Sequence, residues 1–387
     1  MSEPDESTIA VVRRATRELA RKFDYGYWRE KDKLGEYPWE FVTAFGHGGW
    51  LGALIPEEYG GLGLGLAEAG VMMQEIAASG AGASGASAVH FYLFPPAPII
   101  CYGSEEMKQA FLPKLARGEI LMAFGVTEPN AGVDTSRITT KAEKIDGGWV
   151  VNGQKVWITN AQNAHKILLL ARTSPRNEEK PLAGMTLFFT DLDRDRITVR
   201  EIEKLGRSAI DSNELFIDNH EVRDDEVVGD VGQGFRYLID GLNSERIVVG
   251  LEGVGLGQAA LELASKYANE RVVFGRPIGQ NQAVAHPLAD SWIRLESARL
   301  MAMHAAKLYD DRQNCGKEAA AAKYLGAEAG FDACDRAMST HGGYAYAKDY
   351  HVERLWREAR LARNAPLSQE MVLNYISTQA LKLPRAY

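Results

Sequence analysis

Trp157 and Thr159 are residues whose types and spacing suit chemistry. They lie two apart in the run Val156-Trp157-Ile158-Thr159, so on a strand they share a face. An aromatic plate beside a hydroxyl suits a flat ring with polar edges. A second group lies upstream, where an apolar strand (Ala123 to Val126) runs into Thr127-Glu128-Pro129-Asn130-Ala131-Gly132. Pro129 presets a turn and Gly132 permits unusual backbone angles. The loop therefore offers N–H groups and the Thr127 hydroxyl to a ligand. On the residues alone, a β-hairpin with one face in a core is an equal reading.

The elements that must position these residues fall into three blocks. Residues 8–120 read as mostly helical, with Ile9, Val12, Ala15, Thr16 and Leu19 at helical spacing. Pro38 suits the first turn of a helix, Ala67 to Ser79 reads as another, and Ser104 caps a third. Residues 121–231 switch to period two. Asn152-Gly153, flanked by Val150-Val151 and Lys155 to Ile158, predicts a hairpin turn. Further strands are expected at Ile167–Ala171 and Met185–Thr190, with a candidate at Ile197–Ile202. From Gly232 the pattern is helical again: Phe235–Ala268, Gln282–Tyr309, Lys317–Thr340, Lys348–Arg363 and Ser368–Leu381. The fold class is α+β, mainly α. It comprises a helical domain (1–120), a β domain (121–231) and a C-terminal helical bundle (232–387).

The 387 residues are too many for one ordinary core. A net charge of −8 argues against nucleic acid, and any polyanionic ligand needs a local basic feature. Cys101, Cys315 and Cys334 lack metal-ligand spacing and read as reduced thiols in a cytoplasmic protein; no metal is expected. No 18-residue stretch is apolar throughout, so no membrane span is expected. The acidic start, Met-Ser-Glu-Pro-Asp-Glu-Ser, is neither a signal nor a transit peptide. Gly80-Ala81-Gly82-Ala83-Ser84-Gly85 has the dinucleotide-fingerprint spacing, but it follows a helix rather than a strand. Close helix packing is the better reading. Gly253, Gly255 and Gly257 inside a helix each cost roughly 1 kcal/mol against Ala, which close packing or cofactor approach offsets.

Thr127 to Gly132, followed by Asn152-Gly153-Gln154-Lys155-Val156-Trp157-Ile158-Thr159-Asn160, closely resembles the acyl-CoA dehydrogenase family, and the resemblance extends over essentially the whole chain. It implies FAD as cofactor, with Phe124, Val126, Thr127, Trp157, Ile158 and Thr159 about the flavin. Arg271 to Gln282 resembles the family segment that reaches the neighbouring subunit's FAD. Arg271 would meet the diphosphate, for which its fork is suited, and Phe274 the adenine side, with Gln282 nearby. Ser339, Gly342, Gly343 and Ser368 complete the implied cofactor set, with Ser339 standing where Gln is usual. The shared cofactor implies a homo-oligomer, commonly a dimer of dimers. Acyl-CoA is the implied substrate and electron-transfer flavoprotein the implied acceptor.

Such an enzyme needs a carboxylate to take the proton α to the thioester while the β hydride leaves to the flavin. Many members carry the base after a helix like Val352-Glu353-Arg354-Leu355, at a position whose backbone N–H also holds the thioester oxygen. Here that position falls on Pro366, or on Ala365 with a one-residue deletion, and neither is an acid. The isovaleryl-CoA and long-chain branch places it before an Arg on another helix. Leu242-Asn243-Ser244-Glu245-Arg246 resembles that stretch, which implies Glu245 as base with Asn243 and Arg246 beside the substrate. Glu370 is the next candidate. Val133 falls at a substrate position where Ser is frequent. His90-Phe91-Tyr92-Leu93-Phe94 aligns with the far wall of the acyl pocket. There its rings either shorten the cavity, favouring compact acyl groups, or simply pack the core. The rival readings are a flavin oxidase, acyl-CoA or nitroalkane-oxidase-like, and a flavin-binding homologue whose thioester site has decayed.

Overall fold

The computed structural model describes residues 7–385. Helices α1 (Thr8–Ala20), α2 (Tyr25–Leu34), α3 (Trp39–His47), α4 (Leu66–Ile76), α5 (Gly82–Leu93), α6 (Ala97–Tyr102) and α7 (Glu105–Ala116) come first. Side-chain caps fix several starts: Ser7, Asp24 and Ser104 each accept from the backbone N–H three residues on. The expected helix Ala67–Ser79 leaves α geometry at Ile76 and continues as a π turn, Ala77–Ala81, into α5. Gly80 and Gly82 both have positive φ there. A Cβ on Gly80 would fall 2.7 Å from the Tyr25 ring, and one on Gly82 2.4 Å from a Glu358 carboxylate oxygen. The G-x-G-x-x-G spacing thus serves close packing.

Strands β1 (Met122–Gly125), β2 (Lys141–Ile145), β3 (Gly148–Thr159), β4 (Lys166–Arg172), β5 (Met185–Asp191), β6 (Ile197–Glu201) and β7 (Ser212–Arg223) form one sheet. Its order is β1-β4-β2-β3-β7-β6, with β5 on β4. The hairpin expected at Asn152-Gly153 is not there. Residues 148–159 form one long strand, and the turn is Asp146-Gly147, between β2 and β3. Asn152 lies in a register irregularity against β7 instead. Pairing with β7 along nearly the whole of β3 outweighs the local turn preference.

Helix α8 (Gly234–Glu270) then crosses the molecule. The ribbon β8 (Val272–Val273) and β9 (Arg276–Pro277) leads to α9 (Gln282–Asp310), α10 (Gly316–His341), α11 (Val352–Ala359) and α12 (Gln369–Gln379). The long helix expected over 348–363 is broken: only Val352–Ala359 is α, with 3-10 turns at Lys348–Tyr350 and Arg360–Arg363. His351, at φ 64°, interrupts the first part. α8 and α10 meet backbone to backbone. A Cβ on Gly250 would lie 2.7 Å from the Ala322 carbonyl oxygen, and one on Gly330 2.3 Å from that of Gly253. On the other side of α8, a Cβ on Gly255 would lie 2.2 Å from the Gln74 carbonyl. Close packing is therefore what the mid-helix glycines provide. α8 is also long and apolar enough to cross a membrane by length and composition, yet 67% of its most apolar window is buried inside this fold. All three cysteines are free; Cys315 and Cys334 are buried and Cys101 is exposed.

Candidate active site

The two ligand-offering segments of the β domain meet. Val156 donates its N–H to the Thr127 carbonyl (3.0 Å), and the Lys155 ammonium reaches the Val126 carbonyl (3.0 Å) and Glu128 (2.9 Å). Glu128 also accepts from Thr139 (N–H 2.6 Å, hydroxyl 2.9 Å) and from the Thr140 N–H (2.9 Å). Burial would raise the Glu128 carboxyl, but the Lys155 charge and these bonds hold it below its ordinary value. This pair clamps the Thr127 loop to β3. Next along β3, Ile158 enters the core at 2% exposure. Trp157 is 58% exposed, an aromatic residue in the left-handed region at φ 60°. The Thr127 and Thr159 hydroxyls have no intramolecular partner among the described residues.

A cavity of about 180 Å³ lies between α5 and α8. Glu245, Val249, Glu252, Gly253 and Leu256 line it from one face of α8, at the spacing of a helical stripe. Ala83, Ser87, His90 and Phe91 line it from α5, followed by Phe94. Phe124, Thr159, Arg207, Glu358, Ala365 and Pro366 close the remaining sides. Glu245, His90, Phe124 and Thr159 are thus brought together. Burial pushes the Glu245 carboxyl up to about 7; the Glu252 charge adds to this, while His90 and Arg246 oppose it. The His90 Nδ1 is 2.8 Å from Glu252. Burial lowers the imidazole, but the Glu252 carboxylate outweighs it and holds His90 above its ordinary value.

Other expected site residues lie elsewhere. Arg246 stacks over Tyr375 at 5.4 Å and donates to the Asn243 side chain at 3.3 Å, and neither residue lines the cavity. Val133 is 59% exposed on the loop after Gly132. Glu370 is exposed in the first turn of α12, whose start the Ser368 hydroxyl caps. Ala365 already donates its N–H to the Leu361 carbonyl at 3.0 Å, and Pro366 has none to give. Arg271 lies 5.7 Å over the Tyr344 ring, and Phe274 is fully exposed at the tip of the β8–β9 ribbon. Gln282, Ser339, Gly342 and Gly343 are exposed too, and a Cβ on either glycine would meet nothing within 4 Å.

Several functional groups escaped the sequence reading. Glu252 follows Glu245 by two helical turns on one face, a signal that was available. Arg207 and Glu358 lie far apart in the sequence, and nothing in their local stretches announces a cavity. Lys155 reads as a strand residue until Glu128 is found against it.

Profiles for the acyl-CoA dehydrogenase N-terminal, middle and C-terminal domains match residues 7–119, 123–220 and 232–381. Acyl-CoA dehydrogenase fadE12 of Mycobacterium bovis is 36% identical over 383 residues, covering 97% of each chain. Glutaryl-CoA dehydrogenase of Desulfococcus multivorans is 35% identical over 360 residues, 91% of this chain and 90% of that one. The structure of a glutaryl-CoA dehydrogenase with glutaryl-CoA superposes with a TM-score of 0.92 at 33% identity, covering 100% and 98% of the two chains. The residues present fit the family's cofactor. An exposed Trp157, two unpartnered hydroxyls and a bare Gly342-Gly343 backbone leave room and donors for a flavin nucleotide. The chain is an FAD-dependent oxidoreductase and belongs to the acyl-CoA dehydrogenase family.

Proposed function

We propose that this protein dehydrogenates an acyl-CoA thioester to the 2-enoyl-CoA, with Glu245 as base. The observation that carries this is a carboxylate with a pKa near 7 lining a cavity beside Phe124 and Thr159 of the sheet. A base is most effective when its pKa lies near the working pH, and enclosure supplies that here. Phe124, Val126, Thr127, Trp157, Ile158 and Thr159 hold the flavin in this reading. Arg271, Phe274 and Gln282 reach a second copy's cofactor, together with Ser339, Gly342, Gly343 and Ser368. FAD, when bound, supplies the acceptor for the β hydride. Glu245 takes the α proton. Asn243 and Arg246 steady the α8 turn that presents it, and Val133 flanks the substrate entrance. Phe91, Phe94 and Phe124 exclude water from the acyl end.

The cavity is smaller than the ~300–1,000 Å³ usual for ligand sites, which favours short or compact acyl groups. Neither Ala365 nor Pro366 has a free N–H for the thioester oxygen, so we expect slow turnover. The domain limits are 120/121 and 231/232, the assembly is a dimer of dimers in the cytoplasm, and electron-transfer flavoprotein takes the electrons. Anaerobic flavin bleaching by a panel of acyl-CoA thioesters tests the reaction. Bleaching by none of them would remove it, and rapid oxygen consumption during turnover would favour an oxidase.

A further inference from the structure

The cavity holds a charge that the reaction does not use. Arg207 lines it, yet its side chain makes no hydrogen bond or ion pair among the described residues, and its Nε is buried without a partner. Burial lowers the guanidinium pKa. An unpaired cation in such a place is costly unless something completes it.

The neighbouring carboxylates are already partnered. Glu358 accepts from the Ala83 N–H (2.7 Å), the Ser84 N–H (3.2 Å), the Ser84 hydroxyl (2.7 Å) and Arg354 (3.0 Å). Glu252 is engaged by His90. Arg207 lines the same cavity as Glu252 and Glu358, and their charges act on its guanidinium. Glu245 is seven residues before Glu252 on α8, about 10 Å along the helix axis. Glu245 and Arg207 therefore line one cavity, Glu245 is not among the charges that act on the guanidinium, and the rings of Phe91, Phe94 and Phe124 are also in the wall.

The loop that carries Arg207 is held in place. The Leu205 carbonyl accepts from Arg357 (3.1 Å), and the Ser208 N–H donates to Asp32 (3.3 Å). Arg357 and Asp32 are themselves paired at 2.8 Å. Arg207 sits at φ 58°, a conformation a long side chain adopts only when its surroundings impose it. A fixed planar fork with free N–H donors matches a carboxylate or a phosphate, and of the two a carboxylate is the group that ends an acyl chain.

We propose that the cavity takes an acyl group whose far end carries a carboxylate, and that Arg207 recognises it. This rests on the acyl-CoA reading above. The test uses the full-length, FAD-loaded protein and pairs of acyl-CoA thioesters of equal chain length, one methyl-ended and one carboxylate-ended, with anaerobic bleaching as readout. The carboxylate-ended member is expected to reduce the flavin with a second-order constant (reduction rate over Kd) about tenfold higher or more. Arg207→Met should lower the ratio between the two members by at least about tenfold, mainly through Kd, and Arg207→Lys should keep part of it. FAD content is measured alongside, with Arg207→Gln as the second variant if the Met variant loads poorly. A wild type that prefers the methyl-ended member, or a ratio unmoved in the Met variant, overturns the proposal. So does loss of FAD from both neutral variants, which would assign the guanidinium to the cofactor. Bleaching by neither member sinks the acyl-CoA reading and this proposal with it, an outcome distinct from bleaching by the methyl-ended member alone.

Discussion

Glu252 and Glu358 in the α5–α8 cavity are treated in the opposite way from the side chains of the edge formed by the β8–β9 ribbon and Gly342-Gly343. Glu252 has His90 and Glu358 has Arg354, Ser84 and two backbone N–H groups. At the edge, Phe274 is fully exposed, Tyr346 is 87% exposed, and among the described residues the Arg271 side chain has only the Tyr344 ring as partner. Large aromatic groups left bare on a well-packed fold mark a surface that something else covers. The contrast separates two tasks. In the proposed reading, one chain assembles the pocket around Glu245, whereas the exposed edge is the part a second copy would finish.

The sharpest break of that contrast is Glu245→Gln, which keeps shape and removes the proposed base. Flavin reduction by acyl-CoA should fall about 100-fold or more while FAD is retained, as stopped-flow absorbance reads directly. Wild-type-like rates would move the base elsewhere, with Glu370 next in line. Lys155→Met probes the clamp beneath the Thr127 loop. It leaves Glu128 buried without its cation and should cost about 3–5 kcal/mol of stability in denaturant titration. A loss under about 1 kcal/mol would show that water reaches Glu128.

The edge is tested by the double variant Arg271→Gln with Phe274→Ala, and separately by Trp157→Ala. Each should lower FAD retention after dialysis roughly tenfold, and the double variant should do so without altering the pH profile of reduction. An FAD-saturated monomer would contradict a shared cofactor.

The smallest effect concerns pH. Since the Glu245 carboxyl is raised to about 7, reduction should rise with pH through that value as the base deprotonates. In the apoprotein the sign reverses. A carboxyl raised in the folded state favours folding below its unfolded value near 4.5, and that contribution is lost as pH climbs through about 7. Glu245→Gln should flatten this slope in thermal scans.

The long helices and most strands were legible because period and length agree over many residues, as in Phe235–Ala268 and Ile167–Ala171. The family motifs drew attention to Thr127, Thr159 and Glu245 for the same reason: they lie in contiguous stretches. The misplaced hairpin shows the limit. Asp146-Gly147 and Asn152-Gly153 are both good turn signals a few residues apart, and only the partner strand β7 chooses between them. Glu128 with Lys155, and Glu358 with Ser84, depend on contacts between distant segments, so no local pattern contains them. Arg207 is the extreme case, since its meaning is set by what fails to touch it.

The glycine seam between α8 and α10 also sets where this enzyme is open to redesign. With Gly250, Gly253, Gly326 and Gly330 pressed against opposing backbone, α8 is a rail that neither slides nor thickens without parting the bundle. Its cavity stripe is correspondingly committed. Ser87 and Phe91 line the cavity from α5, away from that seam, so a library aimed at new acyl groups belongs there, where a changed side chain alters the pocket and leaves the rail in place.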